Sequence, residues 1–101
     1  MTNEELAAIV KEKCAPDYIF RQLAEECCEL GQAALKMVRV MNGETPVRRE
    51  AAFSKYLEEL GDVITMSQLA LEGLHHTERE EVFDTVDFKR QRMSDRLKKR
   101  V

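Results

Sequence analysis

The chain has no tryptophan, only two prolines and only four glycines in 101 residues. So few chain breakers leave long stretches free to remain helical. A sheet-rich fold, which needs frequent turns, is disfavoured. No run approaches the roughly 18 to 20 unbroken apolar residues that a membrane span requires. The first residues, Met1-Thr2-Asn3-Glu4-Glu5, are acidic where a secretion leader would be basic. A soluble, cytoplasmic protein with no membrane partner is therefore expected. Cysteine is scarce too: Cys14, Cys27 and Cys28 are odd in number, two are adjacent, and there is no C-x-x-C. A disulfide framework is excluded and reduced thiols are expected, with Cys27 near the packed side of its helix and Cys28 further out. The only histidines, His75 and His76, are neighbours. They cannot build a four-ligand zinc site. Nor can they supply the two Glu-x-x-His pairs of a di-iron bundle, since that spacing occurs once, at Glu72 and His75.

What is present favours helices. The chain is 44% apolar and 35% charged, rich in Ala, Leu, Glu, Lys and Arg. Its length suits one domain, residues 1–101, around one modest core. The net charge of −3 conceals a division. Residues 1–88 hold 9 basic against 18 acidic side chains, whereas 89–101 hold seven basic against Asp95 alone. An acidic body does not resemble a nucleic-acid interface, so nucleic acid is not an expected partner. It can hold a divalent cation, with the basic tail brought to a phosphate chain. Cations at the end of a last helix also have a simpler reading, as complements to its dipole.

Local signals predict four helices in an antiparallel bundle with short loops. Thr2 and Glu5 have capping-box spacing, opening a first helix that reaches about Lys13 before Ala15-Pro16 stops it. Pro16 and Asp17 open a second, which runs to about Met41 and ends at Asn42-Gly43. Thr45-Pro46 starts a third, which runs to Glu72 and is closed by Gly73. His75 and His76 fall in the next loop, and Thr77 with Glu80 opens a fourth helix.

At 100° per residue, Ile19, Leu23, Leu30, Ala34, Met37 and Met41 lie within about 60° on the second helix. Phe53, Leu57, Leu60, Ile64, Ser67 and Leu71 make the corresponding stripe on the third. Glu26 falls on the edge of the first stripe with Glu29 beside it, and Glu25 faces away. Glu59 borders the second stripe with Asp62 one step outward, and Glu58 faces solvent. Residues three apart are neighbours on a helix. Two such acidic pairs on facing helices offer four hard oxygen ligands for Mg²⁺, with Mn²⁺ also suited. Acidic i, i+3 pairs are also common in so charged a chain: Glu78, Glu81, Asp84 and Asp87 make a similar series that reads as a solvated face. Apolar residues outside the stripes, among them Leu35, Val40 and Met66, point to a homodimer or homotetramer.

Gln22-Leu23-Ala24-Glu25-Glu26-Cys27-Cys28-Glu29-Leu30, followed by Glu58-Glu59-Leu60-Gly61-Asp62-Val63-Ile64, resembles the E-E-x-x-E … E-x-x-D signature of MazG-like pyrophosphohydrolases. These belong to the all-α nucleoside triphosphate pyrophosphatase superfamily. The resemblance covers about residues 17–72 and implies an all-α, MazG-like bundle completed by oligomerisation. It implies Mg²⁺-dependent hydrolysis of a nucleoside triphosphate to the monophosphate and pyrophosphate. Glu26, Glu29, Glu59 and Asp62 would be the metal ligands, and Glu25, the first acid of the motif, would position or deprotonate water. Lys89, Arg92 and Arg96 resemble basic residues that the family places near the phosphates. Lys36 and Lys55 are further candidate phosphate contacts and Gln22 a candidate nucleotide contact. Each of these reads more simply as a solvated surface residue. Two other functions compete with this one: a non-catalytic helical module that binds a partner or regulates, and, weakest because of the acidic body, nucleic-acid binding through residues 89–101.

Overall fold

A computed structural model describes residues 1–100, and among these every regular element is helical. The order is α1 (Asn3–Lys13), α2 (Tyr18–Met41), α3 (Arg49–Glu72) and α4 (His76–Lys98). Among the described residues no helix is long and apolar enough to cross a membrane.

The helix ends follow local chemistry. The Thr2 hydroxyl accepts the Glu5 amide at 3.0 Å and caps α1, as its spacing predicts. α2 closes at Asn42 with the amide of Gly43 bonded to Val40 O and that of Glu44 to Arg39 O. These two bonds form a Schellman motif, and they require the left-handed backbone that Gly43 adopts at φ +69°. Two starts differ from expectation. α3 begins at Arg49 rather than Pro46, because Arg48 stays extended as its cap residue. α4 is capped by His75 rather than Thr77: the Glu78 carboxylate accepts the His75 amide at 2.8 Å, so His76 is the first helical residue. His76 then pairs with Glu80 at 2.8 Å.

α2 and α3, each 24 residues long, are the principal packed pair, and α1 lies against α3. The face that α3 presents to this packing is not the expected stripe. Its buried residues are Ala52, Glu59, Met66 and Leu69, whereas Phe53, Leu57 and Ile64 remain 46%, 51% and 49% exposed. Ala52, Glu59 and Met66 recur every seven residues, with Lys55, Asp62 and Leu69 at the intervening 3–4 spacing. That is the pattern of a coiled-coil seam, turned about 130° from the apolar stripe. On α2, Ala33 is buried with Glu26 and Val40 half-buried at seven-residue steps on either side. Glu59 and Asp62 thus lie in the seam rather than at the margin of an apolar face.

α4 meets α2 and α3 much less closely than these meet each other, sharing with them only a groove at Val82, Phe83 and Val86. The four helices therefore form an open bundle within one chain. The radius of gyration is 17.2 Å, against about 13 Å for a compact chain of 100 residues. Cys27 and Cys28 are both exposed, so Cys27 does not serve the packing expected of it.

Candidate metal centre

Glu26 and Glu29 come from one turn in the middle of α2, and Glu59 and Asp62 from the facing turn of α3. One carboxylate oxygen from each converges so that the four atoms lie within 4.8 Å of one another. The i, i+3 spacing aligns each pair on its own helix, and the α2–α3 seam presses the two pairs together.

Four carboxylates this close cannot all ionise without a compensating cation. Burial first, then the charges of Asp62, Glu29 and Glu59, raises the Glu26 carboxyl above its ordinary value. Glu29 is raised mainly by the close negative charge of Glu59. Glu59 behaves oppositely. Lys55 donates a hydrogen bond from Nζ to Glu59 Oε1 at 2.8 Å, which outweighs burial and lowers the Glu59 pKa. The same contact raises the Lys55 ammonium. A second carboxylate, Glu58, lies 3.7 Å from Lys55 Nζ.

Lys55 satisfies only one oxygen of Glu59. This residue is 3% exposed, and among the described residues its Oε2 has no hydrogen-bond partner; neither has the buried Oε2 of Glu26. An unpartnered buried carboxylate oxygen is costly, and two from facing helices within one cluster form a donor set that suits a hard cation. All four ligands are oxygens with no nitrogen or sulfur, the chemistry of Mg²⁺ or Mn²⁺ rather than zinc.

Beside the cluster, on the side of the C-terminal half of α2, a cleft of about 540 Å³ is lined by Glu29, Gln32, Ala33, Lys36, Arg39, Lys55 and Glu59. Lys36 and Lys55, both expected phosphate contacts, thus stand together at one side of the cluster. Arg39 and Gln32 join them, although the sequence reading passed over both. The i, i+4, i+7 run from Gln32 through Lys36 to Arg39 was the signal that could have found them.

The remaining candidates are placed differently. Glu25 is exposed and outside the quartet, and its charge contributes to raising Glu29. Gln22 is half-buried one turn before Glu26. Lys89, Arg92 and Arg96 are exposed on α4, and that helix does not bring them to the quartet within one chain. Arg92 and Arg96 instead line a separate hollow with Phe88, Gln91, Asp95 and Lys99.

No family model, curated protein or solved structure matches this chain.

Proposed function

We propose that the chain is a divalent-cation-dependent nucleotide pyrophosphohydrolase that converts a nucleoside triphosphate to the monophosphate and pyrophosphate. The observation that carries this reading is the pair of unpartnered buried oxygens, Glu26 Oε2 and Glu59 Oε2, inside a quartet of converging carboxylates. The cationic cleft at its side supports it.

Glu26, Glu29, Glu59 and Asp62 would hold Mg²⁺ or Mn²⁺. A bound Mg²⁺ supplies positive charge to phosphate oxygens and acidifies a water. The chain's residues do the rest. The quartet sets where the α-phosphate sits. Lys55, fixed by Glu59, holds a positive charge at the border between quartet and cleft. Glu25 is adjacent to Glu26 but exposed and outside the quartet, so the proton of the attacking water passes to bulk solvent without it. The water oxygen bonds to the α-phosphorus, the bond from the α-phosphorus to the oxygen that bridges it to the β-phosphorus breaks, and pyrophosphate leaves with the bridging oxygen.

The unit that does this would be a homodimer or homotetramer. Among the described residues only Ala33, Ala52, Met66 and Leu69 are buried apolar residues, and no large side chain is fully buried. Phe20 is 76% exposed, and Val82, Phe83 and Val86 of α4 are open as well. So much open apolar surface is unusual for a chain working alone.

Incubation with individual nucleoside and deoxynucleoside triphosphates in Mg²⁺ tests the reaction. Release of pyrophosphate rather than phosphate, lost in Glu26→Gln and Asp62→Asn, is the expected result. Unchanged turnover in both variants overturns it. The exposed apolar faces favour a second reading, a non-catalytic module that binds a partner protein. That reading requires no hydrolysis of any nucleotide.

A further inference from the structure

Two regions flank the carboxylate quartet along the α2–α3 pair, and they differ in chemistry. Toward the N-terminal half of α2 and the C-terminal half of α3 lies an open groove of about 610 Å³, lined by Ile19, Phe20 and Leu69 together with Val82, Phe83 and Val86 of α4. Among the described residues no charged side chain lines it. Toward the C-terminal half of α2 lies the cleft with Lys36, Arg39 and Lys55. A multiply charged phosphate chain that touches the quartet therefore finds cations in one direction only.

Gln32, Lys36 and Arg39 succeed one another along a single flank of α2, following Glu29 by one, two and three turns. The distance from Glu29 to Arg39 along the axis is about 15 Å. Long helical side chains lean toward the N-terminus of their helix, which aims Lys36 and Arg39 back toward the quartet. α3 runs antiparallel, so Lys55, one turn before Glu59, lies at the same end. Among the described residues, Lys55 is already engaged with Glu58 and Glu59, whereas Lys36 and Arg39 pair with no carboxylate. Lys36 is half-buried with its charge uncompensated. Arginine's planar fork suits a terminal phosphate, where two oxygens can be taken at once.

We propose that this cleft is the seat of the β- and γ-phosphates, with Lys36 and Arg39 of α2 as their ligands, so that the triphosphate lies along α2 with its nucleoside end directed away from Arg39. This assignment rests on the metal-dependent reading above and deepens it. It makes a tail of at least two phosphates beyond the hydrolysed position the recognised feature of the substrate. It also assigns the tail to α2 rather than to the basic residues of α4.

The test is pyrophosphate binding to the full chain in Mg²⁺, measured by titration calorimetry, with Mn²⁺ uptake measured separately by electron paramagnetic resonance. In the double variant Lys36→Gln/Arg39→Gln, pyrophosphate affinity is expected to fall roughly tenfold or more, since two charge-assisted contacts are lost. Mn²⁺ affinity and helical content should stay at wild-type values. The variant Arg92→Gln/Arg96→Gln should bind pyrophosphate as the wild type does. Wild-type pyrophosphate affinity in the α2 variant overturns the proposal, as does a loss confined to the α4 variant. A wild-type chain that takes up Mn²⁺ but binds no pyrophosphate overturns it too. A wild-type chain that takes up no Mn²⁺ instead overturns the metal reading. The same comparison of variants in metal-free buffer then still decides whether the cleft binds the anion.

Discussion

Glu26→Gln separates what the quartet does with a cation from what it does without one. The substitution keeps the side chain's size and removes its charge. In EDTA it relieves repulsion among four acids whose oxygens lie within 4.8 Å, so the melting temperature is expected to stay the same or rise. In Mg²⁺ the order reverses. A cation that binds only the folded chain stabilises it by about 2.7 kcal/mol at a hundred times its dissociation constant. For a domain of this size each kcal/mol moves the midpoint by about 4–8 °C, so the wild type should gain roughly 10–20 °C. A hundredfold weaker affinity at the same Mg²⁺ leaves only about 0.4 kcal/mol, or roughly 2–3 °C. Because the chain lacks tryptophan, far-UV circular dichroism is the suitable probe. Protein concentration must be held constant, since assembly also shifts the midpoint. A Glu26→Gln chain that keeps the full Mg²⁺ shift would refute the reasoning. So would a wild type that is indifferent to millimolar Mg²⁺ and Mn²⁺.

Other perturbations test neighbouring links. In EDTA, Glu26 and Glu29 bind protons more tightly in the folded chain than at the ordinary value of 4.5. Their contribution to stability is therefore full below that value and lost as pH rises through the raised ones. Glu59, whose pKa is lowered, contributes above 4.5 and loses that contribution as pH falls through its depressed value. Thermal melts from pH 4 to 8 should accordingly show metal-free stability declining upward from mildly acid pH, with Mg²⁺ cancelling the decline. Leu69→Ala truncates one of the four buried apolar side chains among the described residues and should cost about 2–4 kcal/mol, read as a lower urea midpoint. Phe83→Glu places a charge on the open apolar face of α4 and should lower the mass seen in sedimentation equilibrium while helical content persists. A wild type that sediments as a monomer would remove the basis for that expectation.

The sequence by itself determined the helices, where most of them end, and the spacing of the four acids. These depend on interactions within a few residues: Thr2 with the Glu5 amide, Gly43 in its left-handed turn, and side chains three apart on one helix. Helical phase also set Glu26 apart from Glu25, but its distinction of Glu59 from Glu58 was drawn against the stripe of Phe53, Leu57 and Ile64, which is not the packed face. Helical phase could not choose between two usable faces of α3. The stripe Phe53, Leu57 and Ile64 is the more apolar, yet the seam through Ala52, Glu59 and Met66 is the one packed. Alanine at 33 and 52 lets the helices approach closely, and the Lys55 ammonium compensates Glu59 there. Apolar periodicity records neither small size nor charge compensation. Only the tertiary structure decided that α4, with Lys89, Arg92 and Arg96, stands apart from the quartet, while Arg39 joins Lys36 and Lys55 beside it. Which helices meet is settled by contacts between residues distant in the chain, and no local spacing encodes that choice.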